Sequence, residues 1–181
     1  MFTSALLLTT SFFAPAPPRA TADWPGWQGP DRTNVSRETG LLKSWPREGP
    51  KLLWTYDEAG MAYAAPAVVG DRLYTMGARQ GKEYLFAMDV KTAKSLWSRA
   101  IGPPSPETRA IGYANGPRGT PAVDGDRVYA IGSQGNLICV KAATGAEVWR
   151  KSLPEDLGGV MMSTWGFSES PLVDGGQVVC T

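Results

Sequence analysis

No histidine occurs among the 181 residues, and cysteine occurs only twice. The first absence removes Ser-His-Asp and Cys-His catalysis, His-ligated zinc, haem on a His axial ligand and the ordinary imidazole base. Excess charge is lacking as well: 18 Lys and Arg against 17 Asp and Glu leave a formal net charge of +1. Electrostatics therefore gives no case for nucleic acid or an anionic membrane as partner. Long apolar runs are missing too. The stretch from Ala5 to Phe13 is too short to cross a bilayer, so no transmembrane segment is expected. What is abundant is punctuation. Glycine supplies 21 residues and proline 15, while 7 Trp, 6 Tyr and 5 Phe weigh against disorder. That combination is expected of a turn-rich all-β protein.

The first 22 residues, MFTSALLLTTSFFAPAPPRATA, are read apart from the fold. A short apolar run, then prolines, then Ala20-Thr21-Ala22 is the pattern of a secretory signal peptide, although the charged opening is absent; a disordered amino terminus is the alternative. No cysteine stands near the cleavage position, which argues against a lipid anchor. The expected location is exported, periplasmic or extracellular. Residues 23–50 form a lead-in. Cys139 and Cys180 fall in non-equivalent places of the repeat described next, so buried free thiols are favoured over a disulfide.

An internal repeat organises the remainder. PAVVGDRLYTMG at 66–77 aligns without gaps on PAVDGDRVYAIG at 121–132, with eight of twelve positions identical, and a third copy opens at Pro171. The proline-to-proline steps are 55 and 50 residues, and Trp97 and Trp149 stand 52 apart, with Trp54 preceding them. Strand-like content at this period indicates propeller blades rather than helical solenoid repeats. Alternation and turn residues divide each unit into four strands, A to D. In the second unit these are Thr120 to Val123, Arg127 to Ile131, Asn136 to Val140 and Glu147 to Arg150. In the first they are Pro66 to Val69, Arg72 to Met76, Glu83 to Met88 and Ser95 to Ser98, and a lone strand D is placed around Trp54. The expected fold is an all-β propeller of four-stranded antiparallel blades within 51–181, with blades at about 64–99 and 119–151 and a third from about 169.

LFAMDVKTAKSLW at 85–97 and LICVKAATGAEVW at 137–149 resemble the tryptophan-docking repeat of pyrroloquinoline-quinone (PQQ)-like propellers. That pattern reads Tyr/Leu-x-Ala-x-Asp-x-x-Thr-Gly-x-x-x-Trp. Ala93 replaces the Gly in the first copy; Cys139 and Lys141 replace Ala and Asp in the second. The resemblance implies structural docking roles for Trp54, Trp97 and Trp149, with Thr92, Thr144 and Gly145 shaping the turns. It also implies a choice of functions, because the family holds quinone-dependent dehydrogenases, the β-barrel assembly lipoprotein of outer membranes, and exported proteins of unknown role. The opening WPGWQGP at 24–30 looks like the start of the last group.

At about 50 residues per blade, even a four-bladed ring needs roughly 200 residues. Two full blades plus partial ones, an incomplete ring, are therefore expected, and with them exposed strand edges and low solubility. A dehydrogenase of this family needs a carboxylate base, a hard cation on oxygen ligands and a flat quinone slot. Adjacent cysteines and clustered acidic ligands are absent here, and Asp71, Asp124, Asp126 and Asp174 read as turn residues beside glycines. No catalytic residue, metal ligand or cofactor is evident, PQQ with Ca²⁺ belonging only to the dehydrogenase alternative.

The long D–A connections, 101–119 and 153–170, are the more informative segments. Each leads into an inner strand, so Tyr63, Arg118, Trp165, Phe167 and Glu169 are expected around one mouth of the propeller. There Arg118 would take an anionic group and the rings a planar ligand or a sugar, unless Arg118 pairs with Glu169 and the rings merely pack. The expected function is an exported binding or scaffolding module for a protein, small-molecule or glycan ligand. The alternatives are the amino-terminal part of a PQQ-dependent alcohol or sugar dehydrogenase, and a sensor ectodomain.

Overall fold

The computed structural model describes residues 23–105, 116–162 and 164–181. The expected signal peptide and the middle of the 101–119 connection lie outside the described residues. Within them the chain forms three antiparallel sheets. The first holds β1 (Ala67–Val69), β2 (Arg72–Arg79), β3 (Lys82–Asp89) and β4 (Ser95–Gly102). The second holds β5 (Ala122–Asp124), β6 (Arg127–Ile131), β7 (Asn136–Lys141) and β8 (Glu147–Ser152). The third is a hairpin of β9 (Leu172–Asp174) and β10 (Gln177–Val179). Each sheet is a meander in sequence order, which short turns rich in Gly and Asp permit. The described sheets resemble partial propeller blades and are not closed into a ring.

The repeat extends to the irregularities. In the first sheet Ala87 faces Trp97 while Met88 faces Ser95, so Leu96 is an extra residue; in the second, Cys139 faces Trp149 while Val140 faces Glu147, and Val148 is extra. A bulge of this kind bends the outer strand and increases its twist. Here it falls immediately before each tryptophan.

Apolar side chains of adjacent sheets face each other. Tyr74, Met76, Leu85 and Ile101 of the first sheet pack with Val128, Ala130, Ile138 and Val140 of the second. On its other face the second sheet packs Tyr129 and Cys139 with Val173 and Val178 of the hairpin. The turn between β7 and β8 latches the outer edge. The Ala142 carbonyl accepts from Trp97 Nε1 at 3.0 Å and Arg72 Nη1 at 2.8 Å, and the Gly145 carbonyl accepts from Arg99 Nε at 2.8 Å. Trp54 makes the equivalent bond one sheet earlier, its Nε1 donating to the Val90 carbonyl at 3.0 Å.

Three expectations are corrected. Residues around Trp54 form no strand, because no described segment lies beside them to complete a ladder, although the indole docks. The connection after β8 opens with a short helix, α1 (Leu153–Leu157). Ser152 caps it by accepting from the Glu155 N–H, Pro154 starts it, and left-handed Gly158 ends it. Finally, β2, β3 and β4 run longer than alternation suggested, to Arg79, Asp89 and Gly102.

The lead-in is drawn into the fold. Trp24 exchanges backbone hydrogen bonds with Val68 of β1 at 2.7 and 2.8 Å, and the Pro25 carbonyl accepts from Val123 of β5 at 2.7 Å. Asp23 accepts from the Gly70 N–H at 2.9 Å. Residues 23–25 thus cross the free edges of two successive inner strands. Gly29, at φ 78°, closes over the Trp24 ring, where a Cβ would stand 2.8 Å from ring carbon.

Candidate functional site

The segments that run into β1, β5 and β9 come together at one face. Tyr63, Arg118 and Ser168 each stand three residues before the proline that opens an inner strand. The Tyr63 N–H donates to the Pro117 carbonyl at 3.0 Å, and the Thr120 N–H donates to Ser170 Oγ at 2.8 Å. Gly119 lies against the next segment so closely that a Cβ would stand 2.2 Å from the Glu169 carbonyl oxygen. Only glycine permits that approach.

Arg118 is the centre of this arrangement. Its guanidinium carbon lies 4.5 Å from the Tyr63 ring centroid and 4.8 Å from that of Trp165, both within cation–π range. Its Nε donates to the Trp165 carbonyl at 3.2 Å. Tyr63 and Trp165 remain 53% and 39% exposed. Glu169 sits on the same run of chain, but no ion pair joins it to Arg118. Arg118 Nη2 and Glu169 Oε1 are each buried without a hydrogen-bond partner. Phe167 stands apart from this group. It is buried with Ile131, Leu137 and Leu153, because its ring fills the space over Gly135.

The strongest buried polar network was not singled out from sequence. Glu83, fully buried in β3, accepts from the Ser133 N–H at 2.8 Å and from Ser133 Oγ at 2.6 Å. Ser133 Oγ accepts in turn from the Ser105 N–H at 2.8 Å. Burial raises the Glu83 carboxyl above the usual carboxylate range, against the pull of the Ser133 bonds. A lone Glu in a strand carries no sequence signal for this role.

The turn residues are placed as follows. Thr92 Oγ1 donates to Asp89 at 2.8 Å, and that bond leads the depression of the Asp89 pKa. In the second sheet Lys141 stands at the Asp89 position, and Thr144 Oγ1 accepts from the Ala146 N–H as Thr92 Oγ1 does from the Lys94 N–H. Asp71, Asp124 and Asp174 lie at the far ends of the inner strands from Arg118. Both cysteines are free. Burial raises the Cys139 thiol, and burial followed by the Glu169 charge pushes Cys180 up to about 11.

The family profile described as outer membrane protein assembly factor BamB matches residues 107–181. Among solved structures, the quinohemoprotein alcohol dehydrogenase of Comamonas testosteroni superposes with a TM-score of 0.64 at 25% identity, covering 90% of this chain and 23% of that one. The chain is related to the PQQ-like β-propellers. BamB from Moraxella catarrhalis, at 21% identity and a TM-score of 0.51, shares the fold over 68% of this chain and 35% of its own. A europium-containing methanol dehydrogenase does so at 19% identity and 0.55, covering 71% of this chain and 22% of that one. No curated protein matches the chain. The PQQ-like domain thus spans about a quarter of the dehydrogenases it resembles and about a third of BamB.

A quinone with its hard cation would need acidic oxygens converging on one slot. The described residues of this PQQ-like domain do not fit that group. Glu83 is committed to Ser133, the turn aspartates lie at the other end of the inner strands, and the two cysteines are not adjacent. Among the described residues no group of three or more Cys, Asp or Glu side chains is placed to hold a metal ion. No helix among them is long and apolar enough to cross a membrane.

Proposed function

We propose that this PQQ-like propeller is an exported binding or scaffolding module whose ligand surface is the face carrying Tyr63, Arg118, Trp165 and Glu169. The observation that carries this reading is Arg118 held over two partly exposed aromatic rings, with one guanidinium nitrogen buried and unpartnered. Such a group offers charge, hydrogen-bond donors and stacking area together, the ingredients of a recognition site. The match of residues 107–181 to a profile described as an outer membrane protein assembly factor supports a role outside the cytoplasm and a partner that is itself a protein.

The test is binding. The purified full chain is expected to retain a ligand from an envelope extract, and Arg118→Ala to lose it while keeping its β-sheet circular dichroism. Equal retention by both proteins would count against this face.

A second reading is favoured by one observation, the superposition of nine-tenths of this chain on a quinohemoprotein alcohol dehydrogenase. In that reading the chain is part of a quinone-dependent alcohol or sugar dehydrogenase. Adding PQQ and Ca²⁺ separates the two. Bound-quinone absorption with dye-linked alcohol oxidation would support the dehydrogenase and overturn the binding module.

A further inference from the structure

We propose that the ligand of the Arg118 face is a neutral saccharide, a reading that rests on the binding function above and adds its chemical class. Two polar atoms there lack partners, Arg118 Nη2, a donor on a cation, and Glu169 Oε1, an acceptor on a carboxylate. A buried polar group left unpaired is unfavourable, so each atom marks a contact still to be made. The two side chains do not satisfy one another, since neither takes part in an ion pair among the described residues. They nevertheless flank one junction, where Gly119 packs on the Glu169 backbone and Thr120 bonds Ser170.

Charge then decides among ligands. Arg118 and Glu169 carry opposite unit charges, so the junction as a whole calls for no counterion. A carboxylate or phosphate would satisfy Arg118 but set a like charge near Glu169; an ammonium would do the reverse. A flat aromatic molecule would use the rings and leave both polar atoms unmet. A hydroxyl accepts from a guanidinium and donates to a carboxylate with the same oxygen. A sugar ring carries several hydroxyls along its edge and a C–H face that packs on Tyr63 and Trp165, both partly exposed. The Tyr63 and Trp165 rings lie directly against the Arg118 guanidinium, and side-chain rotation at a binding surface is common.

The experiment titrates the purified full chain by calorimetry and tryptophan fluorescence. Neutral probes are cellohexaose, maltohexaose and chitohexaose; hexagalacturonate and inorganic phosphate are the anions, and dialanine the zwitterion. The expected result is binding of at least one neutral oligosaccharide, little changed by salt, and about tenfold weaker in both Tyr63→Ala and Arg118→Lys. Trp27→Ala, in the lead-in and outside the cluster around Arg118, should leave affinity unchanged. Circular dichroism establishes that each variant is folded, and Arg118→Lys keeps the charge should a larger truncation unfold the chain. Binding confined to the charged probes, and lost in the same variants, overturns the saccharide and leaves the binding function standing. Oligosaccharide binding indifferent to both substitutions overturns the assignment to this face. No binding of any probe by the unsubstituted chain overturns the saccharide, and the binding function then stands or falls on whether the chain retains a ligand from an envelope extract that Arg118→Ala does not.

Discussion

Gly145 and Ala93 occupy the same position in successive repeats, and both adopt left-handed backbone, at φ 68° and 56°. For glycine that conformation is free; for alanine it costs about 1 kcal/mol. Gly145 also touches Trp97, where an added Cβ would stand 2.6 Å from ring carbon. Gly145→Ala is therefore expected to destabilise the fold by about 2–4 kcal/mol, combining backbone strain with a displaced indole. Ala93→Gly should be neutral or stabilising by up to about 1 kcal/mol, since relief of strain is partly offset by a more flexible unfolded chain. Urea denaturation with both variants checks the pair, and equal effects at the two positions would show that the repeat equivalence has no energetic meaning. The turn itself was legible from Thr144-Gly145 and its spacing to Trp149. Asp89 holding Thr92 was not, because a short-range hydrogen bond depends on a side-chain rotamer and leaves no periodic trace.

At the scale of elements, Glu83 links the first sheet to the turn after β6 in addition to the apolar packing between the sheets. Its folded pKa lies above the unfolded value, so its contribution to stability is fully present below that unfolded value, near 4.5, and is lost as pH rises through the folded one. Glu83→Gln keeps an acceptor for the Ser133 N–H and removes the ionisation. The variant should gain stability relative to the parent as pH is raised from 4 to 8, measured by denaturant midpoints at each pH. A constant difference across that range would mean that Glu83 does not titrate in this window. Along β6 and β7 both faces are buried, so those strands were legible as short apolar runs bounded by turn residues. The Trp54 segment read as a strand D because its tryptophan precedes those of the repeat, and it is none: the indole docks, while a strand also needs a neighbour's backbone. α1 carries its own signal, Ser-Leu-Pro-Glu-Asp-Leu-Gly, too short for helical periodicity to reveal.

For the molecule as a whole, the lead-in ties the sheets from the inside while the Ala142 carbonyl ties them from the outside. Removing residues 23–26 deletes the partners of the Val68 and Val123 amides. Hydrogen exchange at these two amides is expected to accelerate together, with Ala130 and Ile138 little changed; unaltered exchange at Val68 would mean the lead-in does not stay seated. That contact uses the free edges of β1 and β5, at Val68 and Val123, and none of the residues around Arg118. By itself the sequence determined the repeat, the antiparallel meanders, the turn chemistry and the positions of the large rings, since each follows from local spacing and the two-residue period of a strand. Only the tertiary structure decided that Arg118 lies over Tyr63 and Trp165, that Phe167 goes into the core instead, and that Glu83 meets Ser133. The Arg118 and Glu83 contacts join residues roughly 50 apart and Phe167 reaches back 32 residues to Gly135, and nothing in a local pattern specifies which side chains the stacking of neighbouring sheets will bring within a few ångströms.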